Sequence, residues 1–371
     1  MTGRTRRFSQ LSRRCDPAIR DSDGRNPEQA VYAALDLGTN NCRLLVVQPQ
    51  DGGFRVLDAF SRIVRLGSDL ARNGCLHEAA MARTLAALRV CAGKIHHHRA
   101  TQARCVATAA CRQAGNGTVF LNRVQAETGL VIETITPRQE AAYGLAGCLP
   151  LFEADKPFGL IFDIGGGSTE LTWFRFQAGG RPEIVDSLSV PLGVVNLADR
   201  FGDGAAEAAD SAALVEEFAV ALSGFDRRNG IAGQVALGRV SMVGTSGTVT
   251  TLCGIHLDLP RYHRQAVDGC RLSFDQLAAA AVRVSSLDLA GRVAHPCIGP
   301  GRADLVVPGC AILDAICRQW PVGTLAVADR GLREGMLLDM MARTGDLPAR
   351  VAAAVMAAVD ETVTAVRAQS P

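Results

Sequence analysis

Short apolar runs that lead into an acidic, glycine-rich turn occur twice along the chain. The first is Val31–Leu35, which runs into the turn 36–41 and resumes at 44–47. The second is Phe158–Phe162, which runs into the turn 163–170 and resumes at 171–176. Short apolar runs separated by turn residues are typical of β-hairpins. The sequence therefore predicts the same hairpin twice, with Asp163 following Asp36 by 127 positions.

The segments outside these hairpins predict a mixture of helices and strands. Apolar residues at helical spacing favour a helix over 78–94, and 103–108 is typical of a strand that ends in a loop. A helix is expected to begin at Pro137. Near the end of the chain, the Ala-rich segment 348–366 predicts an amphipathic helix packed as a structural cap.

The repeated hairpin predicts two similar α/β domains that face one another. We assign residues 30–148 to the first domain, 149–345 to the second and 346–371 to a C-terminal helix. Residues 1–29 carry seven arginines and almost no large apolar side chains. Because such a segment cannot nucleate a packed element, we expect a disordered basic arm.

Composition fits a soluble globular protein. Of the 371 residues, 48% are hydrophobic and 20% are charged, which allows a large core and favours two domains. No apolar run approaches the roughly 20 residues of a membrane span, and no secretory signal is present. The twelve cysteines include no Cys-x-x-Cys pair, so we expect buried, reduced thiols and a cytoplasmic location.

Positive charge is concentrated in one stretch. The formal net charge of +2 argues against general nucleic-acid binding. Between residues 59 and 123, however, the chain has ten Lys or Arg residues and only two acids, Asp69 and Glu78. This excess predicts an anion site in the first half.

The turns have the composition of phosphate-binding loops. Gly, Ser and Thr let several backbone N–H groups converge on one cluster of oxygens. One such turn is a weak signal, but two after acidic strand ends are stronger. A third cluster of this kind, 244–248, follows the apolar residues 240–243. The candidate phosphate-binding residues of the turns are Gly38, Thr39, Asn40, Asn41, Gly165, Gly166, Gly167, Ser168, Gly244, Thr245 and Ser246.

The acids of the hairpins indicate a metal ion. Asp36, Asp163 and Glu170 would repel an anionic substrate unless a cation lay between them. Mg²⁺ prefers carboxylate, water and phosphate oxygens together, so we expect it as the cofactor. The alternatives are a turn-capping role for Asp163 and a surface strand position for Glu170.

Two arginines are the best anion clamps, because a guanidinium can bond two phosphate oxygens at once. Arg43 and Arg112 each lie just beyond a segment that contains Gly or Thr. Each could instead be an ordinary surface arginine.

Ordered motifs over residues 31–341 carry a family resemblance. They are Tyr32–Leu44, Val64–Gly67, Ala107–Asn116, Phe162–Leu171, Val190–Gly193, Gly244–Thr248, Arg302–Gly309 and Gly331–Gly335. In this order they resemble the exopolyphosphatase and guanosine pentaphosphate phosphohydrolase family. The resemblance implies two ribonuclease-H-like lobes around a cleft, the fold of actin, sugar kinases and heat-shock chaperones.

The resemblance also implies roles for individual residues. The family's catalytic glutamate lies in a Glu-Glu-Ala segment, which implies Glu140 here, with Gln139 in place of the preceding acid. Asp163 and Glu170 match the magnesium-associated acids. The turns 38–41 and 165–168, with Arg43 and Arg112, match phosphate-contacting positions.

Some positions depart from the family pattern. Asn41 and Ala109 stand where the family commonly has Ser, which changes side-chain donors but leaves the backbone of the turns intact. Long members carry a further helical domain of the His-Asp phosphohydrolase type, and this chain resembles the short form.

The sequence therefore predicts an exopolyphosphatase that releases terminal phosphate from inorganic polyphosphate. One alternative is a guanosine pentaphosphate phosphohydrolase, which would use the same cleft. More distant alternatives are a small-molecule kinase and a polyphosphate or alarmone sensor without turnover. We expect no membrane or specific nucleic-acid partner, and the resemblance is compatible with a homodimer.

Overall fold

The computed structural model describes residues 30–201 and 208–367. The predicted basic arm lies outside the described residues. The first lobe contains a five-stranded sheet and five helices. Its elements are β1 (Tyr32–Leu37), β2 (Asn41–Gln50), β3 (Gly53–Ile63), α1 (Leu70–Asn73), α2 (Glu78–His97), β4 (Gln102–Ala107), α3 (Ala109–Gln113), α4 (Gly117–Thr128), β5 (Glu133–Thr134) and α5 (Pro137–Cys148).

The second lobe contains a six-stranded sheet and begins after a short 3-10 turn at Leu149–Leu151. Its strands are β6 (Phe158–Ile164), β7 (Thr169–Phe176), β8 (Pro182–Val190), β9 (Val240–Thr245), β10 (Arg271–Ser273) and β11 (Thr324–Ala328). Its helices are α6 (Val194–Phe201), α7 (Ala208–Asn229), α8 (Ile231–Ala236), α9 (Gly247–His256), α10 (Arg264–Val267), α11 (Phe274–Ser285), α12 (Leu289–Ala294), α13 (Val306–Gln319) and α14 (Leu332–Thr344), followed by the C-terminal α15 (Ala349–Arg367).

The two sheets share the arrangement of five strands, to which the second sheet adds β10 at its edge, and this confirms the predicted repeat and the α/β class. The first sheet has the order β3-β2-β1-β4-β5, and the second has β10-β11-β9-β6-β7-β8. In each, an antiparallel three-stranded meander is extended by a parallel strand, β4 beside β1 and β9 beside β6. The hairpin strands run further than predicted, so that Asp36 and Asp163 lie inside β1 and β6 and pair with the following strand.

Each lobe has its own apolar core, and a third core lies between the two sheets. The third core joins residues of β1 and β2 to residues of β6, β7, β9 and β11, with α5, α14 and α15 packed among them. Helix α5 packs against α14, which also contacts β1 of the first sheet. The helices that end the two lobes therefore form one shared apolar layer on one side of the cleft.

The cysteines that the structure describes are free, and most are buried, as predicted. None of the described helices combines the length and apolar character needed to cross a bilayer.

Candidate functional site

A cavity lies between the two lobes where the hairpin turns meet. The turns 38–41 and 165–168 line it, together with the loop from β9 into α9 and the loop from β11 into α14. The parallel pairing of β6 with β9 and of β9 with β11 brings these loops to one edge of the second sheet. The sequence predicted the first three of these loops.

The two hairpin turns are closed by equivalent hydrogen bonds. The N–H of Gly38 donates to the carbonyl of Asn41 at 2.9 Å, and the N–H of Gly165 donates to the carbonyl of Ser168 at 2.9 Å. The turns also touch each other, because a Cβ built at Gly166 would lie 3.2 Å from the Cβ of Asn40. Because Gly166 has no side chain, the backbones of the two hairpin turns can approach each other closely.

Each turn is braced by a later loop of its own lobe. The N–H of Gly67 donates to the carbonyl of Thr39 at 3.0 Å, and the N–H of Val194 donates to the carbonyl of Gly165 at 2.9 Å. A Cβ at Gly193 would lie 2.5 Å from the carbonyl carbon of Gly166. These contacts give a structural reason for the motifs 64–67 and 190–193.

Three carboxylates of the hairpins converge on the cavity. In the second hairpin Glu170 lies directly opposite Asp163, and its Oε1 accepts hydrogen bonds from the hydroxyls of Ser168 and Ser189, the latter at 3.1 Å. Removal from water raises the pKa of Asp163 to about 6 and that of Glu170 to about 7. Burial also raises the pKa of Asp36, while the facing Arg43 opposes this rise.

Glu140 lies in the first turn of α5 and lines the cavity. One of its carboxylate oxygens is 3.3 Å from Nη1 of Arg112, which also donates to the carbonyl of Ile135 at 2.7 Å. Burial and the negative charge of Glu170 raise the pKa of Glu140 well above its ordinary range. The site thus holds a carboxylate that a fixed arginine orients and a neighbouring acid makes more basic.

The position before Glu140 has a structural role. Helix α5 begins with a capping box, in which the Thr136 hydroxyl accepts from the N–H of Gln139 at 3.2 Å. The side chain of Gln139 accepts in return from the N–H of Thr136 at 2.9 Å. Since Glu and Gln both serve at this third helical position, the change to Gln139 preserves the cap that positions Glu140.

Four arginines line the cavity, Arg43 from the first lobe and Arg302, Arg330 and Arg333 from the second, and the last two are held in ion pairs. Nη1 of Arg302 donates to the hydroxyl of Thr251 at 3.1 Å. Burial, followed by the charge of Arg43, lowers the pKa of Arg302. Within the ranges 30–201 and 208–367, neither Arg43 nor Arg302 forms an ion pair, so both guanidinium groups are available to an anion.

The structure brings together most of the candidate site residues. The cavity lining includes the predicted positions of both hairpin turns, Thr245, Ser246, Arg43, Glu140 and the three acids. Arg112 does not line it and acts on Glu140 instead. Gly244 also does not line it, and a Cβ there would lie 2.6 Å from the ring of Phe162, so this glycine serves packing.

The basic stretch 59–123 differs from the expectation. None of its ten Lys or Arg residues lines the cavity. Many of them instead form ion pairs with acids elsewhere in the fold, such as Arg65 with Asp304 and Arg89 with Glu127. Charge that is concentrated along the sequence is therefore largely neutralised in three dimensions.

Arg302, Arg333 and Glu334 also line the cavity, although none of them was predicted as a site residue. Glu334 accepts from Nη2 of Arg264 at 2.7 Å and from the N–H of Gly331 at 3.0 Å. The signal for these residues was present, because they lie in the motifs 302–309 and 331–335. Those motifs carried the resemblance but were not connected with the site.

The donor set at the cavity fits a hydrated divalent cation. The carboxyl groups of Asp36, Asp163, Glu170 and Glu140 line one cavity, and Oδ1 of Asn40 is buried with no hydrogen-bond partner among the described residues. Among the described side chains, no group of three His, Cys, Asp or Glu residues is arranged to hold a metal ion by itself. Mg²⁺ suits such a site, because it keeps several waters and shares substrate phosphate oxygens.

Comparisons with known proteins agree with this geometry. Residues 45–344 match the model of the Ppx/GppA phosphatase family. Exopolyphosphatase 2 of Mycobacterium tuberculosis is 29% identical over 323 residues, which cover 83% of this chain and 98% of that protein. The guanosine-5'-triphosphate,3'-diphosphate pyrophosphatase of Aeromonas salmonicida is 31% identical over 321 residues, which cover 86% of this chain and 61% of that protein.

A solved structure also supports assignment to the Ppx/GppA phosphatase family. The crystal structure of the Aquifex aeolicus member of the Ppx/GppA protein family has a TM-score of 0.70 and 27% identity, and the match covers 85% of this chain and 99% of that one. The chain belongs to the Ppx/GppA phosphatase family.

Proposed function

We propose that this protein is an exopolyphosphatase, which hydrolyses the terminal phosphoanhydride bond of inorganic polyphosphate and releases orthophosphate. The observation that carries the proposal is that Glu140 shares one cavity between the hairpin turns with Arg43 and Arg302, which form no ion pair within the part of the chain that the structure describes. This chain matches 98% of the length of the relative named exopolyphosphatase 2, and this match supports the choice of substrate.

Glu140 is the proposed general base. A base works best when its pKa lies near the operating pH, and Glu140 has a raised pKa in a site that holds further acids. The ion pair with Arg112 fixes the direction of its carboxylate. In this mechanism Glu140 orients a water molecule towards the terminal phosphorus atom and accepts its proton during attack.

Positive charge and backbone amides stabilise the phosphoryl group. Arg43 from the first lobe and Arg302 from the second can each donate two hydrogen bonds to phosphate oxygens. Apart from the N–H groups of Gly38 and Gly165, which close the turns, the backbone N–H groups of the turns 38–41 and 165–168 can add fixed donors that need no rearrangement during the reaction. Catalysis is then mainly placement of the water and compensation of charge on the transferring group.

The proposed cofactor is Mg²⁺, with Asp163, Glu170 and Asp36 as the residues that would hold it directly or through water. When bound, it would supply positive charge that neutralises the phosphate oxygens. The three acids have raised pKa values, which reflects an unfavourable negative charge that a cation would relieve.

A second candidate substrate is guanosine pentaphosphate. The Aeromonas relative, whose name specifies guanosine-5'-triphosphate,3'-diphosphate, is 31% identical to this chain. Steady-state kcat/KM measured on long polyphosphate and on guanosine pentaphosphate with one preparation tests the choice. We expect the larger value for polyphosphate, and a larger value for the nucleotide would reverse the assignment.

The proposed compartment is the cytoplasm, where thiols stay reduced. The free cysteines among the described residues support this proposal. The homodimer stays a prediction.

A further inference from the structure

An ion pair between Arg65 and Asp304 joins the two lobes beside the cavity. Arg65 follows β3 in the first lobe, and Asp304 precedes α13 in the second. Nη2 of Arg65 lies 3.0 Å from Oδ1 and 2.9 Å from Oδ2 of Asp304. Beside this pair, Ile63 packs against Gly301, where a built Cβ would lie 2.2 Å from Cδ1 of Ile63. The lobes are therefore in direct contact here.

Both partners are directly connected to the walls of the cavity. The backbone N–H of Arg65 donates to the carbonyl of Asn40 at 3.0 Å, which ties Arg65 to the first phosphate-binding turn. Asp304 lies between Arg302 and Leu305, which both line the cavity. The ion pair thus connects a phosphate-binding turn of one lobe to the loop that carries an anion-binding arginine in the other.

Besides the contact between the two hairpin turns, the lobes meet through two kinds of contact that differ in strength. The layer of α5, α14 and α15 joins the sheets through buried apolar side chains. In contrast, the side chains of Arg65 and Asp304 are 39% and 36% exposed. Ion pairs that are open to solvent are weak and are screened by salt, so this contact can break while the apolar layer stays intact.

We propose that Arg65 and Asp304 form a latch that holds the lobes closed around a bound polyphosphate chain, so that the chain stays bound between successive cuts. The inference rests on the proposed function. The two residues are positioning residues, since neither of them lines the cavity. The latch controls dissociation of the polymer and leaves the rate of hydrolysis of the terminal bond unchanged.

Amide hydrogen exchange tests whether the pair holds the lobes together. In Arg65→Ala and Asp304→Ala, we expect peptides that cover 63–67 and 301–306 to exchange roughly two- to fivefold faster than in wild type. Arg65→Lys keeps the charge and should exchange more slowly than Arg65→Ala. Unchanged exchange in both alanine variants would overturn the latch.

A control variant tests whether faster amide exchange is specific to the Arg65–Asp304 pair or follows the loss of any exposed ion pair. Nε of Arg318 lies 2.8 Å from Asp314 one turn away within α13, and this pair does not join the lobes. Arg318→Ala should leave both peptides at wild-type exchange rates. Equal acceleration in Arg318→Ala would contradict a specific role for Arg65 and Asp304.

The length distribution of the products tests the functional consequence. With excess polyphosphate of defined length, the wild type should leave mainly full-length and fully degraded chains. Arg65→Ala and Asp304→Ala should accumulate intermediate lengths, while kcat on tripolyphosphate stays within about twofold of wild type. Unaltered product lengths in both variants would overturn the latch and leave the proposed function standing. A fall in kcat on tripolyphosphate that by itself accounts for the intermediate lengths would do the same. A wild-type protein that releases no phosphate would instead overturn the proposed function.

Discussion

Arg43 and Glu170 occupy equivalent positions in the two hairpins. Arg43 lies opposite Asp36 in the β1–β2 ladder, and Glu170 lies opposite Asp163 in the β6–β7 ladder. The same local structure therefore presents a cation in the first lobe and an anion in the second. In the proposed mechanism the two positions have different roles, because Arg43 would bind phosphate oxygens and Glu170 would help to hold the metal ion.

The role of Glu140 predicts a separation of binding from turnover. Glu140→Gln keeps the shape of the side chain but removes the proton acceptor, so kcat should fall by roughly 10²–10⁴-fold. Polyphosphate binding, measured by calorimetry, should stay within a few fold of wild type. Glu78→Gln, at an exposed carboxyl at the start of α2, is the matched control and should keep full kcat. Turnover of Glu140→Gln at the wild-type rate would remove Glu140 from the mechanism.

The raised pKa of Glu170 predicts how stability depends on pH without metal. Since the folded pKa of about 7 exceeds the ordinary value of 4.5, the folded protein binds this proton more tightly than the unfolded chain does. The resulting stabilisation is complete below about pH 4 and is lost as the pH rises through 7. Glu170→Gln should therefore be more stable than wild type at pH 8, by roughly 1–3 kcal/mol, and nearly equal to it at pH 4.

Urea unfolding in EDTA at the two pH values measures this difference. Glu183→Gln is the control at a carboxyl whose pKa is shifted in the opposite direction, because the hydrogen bond with Arg175 lowers the pKa of Glu183. That substitution should give no gain in stability at pH 8. A Glu170→Gln protein less stable than wild type at pH 8 would contradict an unfavourable buried charge.

Arg302 should contribute to substrate binding from the second lobe. Arg302→Ala removes a partly buried guanidinium that forms no ion pair among the described residues, so kcat/KM for polyphosphate should fall by about 10- to 100-fold, corresponding to roughly 1.5–3 kcal/mol. Arg302→Lys should recover only part of this loss, because an ammonium cannot form two parallel bonds to phosphate. Arg261→Ala provides an exposed control. Equal kcat/KM in Arg302→Ala and wild type would exclude this role.

The close contact between Gly193 and the second hairpin turn predicts that one added methyl group at position 193 destabilises the protein. In Gly193→Ala the added Cβ would meet backbone atoms of Gly166 at 2.5 Å, so the turn must shift. We expect a stability loss of about 1–3 kcal/mol and reduced phosphate release. In Gly233→Ala, within α8, the Cβ would meet no atom within 4 Å, and stability should stay equal or rise. Thermal unfolding of both variants measures the contrast, and equal behaviour would argue against the brace.

The fold and the core of the site were predictable because their signals are local. Each hairpin carries its strands, turn and acids within a short segment, and the repeat 36–43 and 163–170 indicates two similar lobes. The structure confirms this architecture. The turn around Thr245 also follows a strand directly, so its apolar run and its glycines could be recognised together.

The remaining features depend on contacts between distant segments. Arg302 lies in a motif of the family resemblance, but its place at the cavity depends on how the segment before α13 packs, which the motif alone does not show. The basic stretch was misleading for the same reason, since a partner such as Asp304 lies 239 positions away from Arg65. Density of charge along a sequence gives no information on which charges are paired in the fold.

The most direct test of the central claim is release of orthophosphate from long polyphosphate by the purified protein, with Mg²⁺ or with EDTA. We predict steady release with Mg²⁺ that falls to background with EDTA and in Glu140→Gln. Absence of release from the wild type with Mg²⁺, or equal release by Glu140→Gln, would contradict the proposed exopolyphosphatase mechanism.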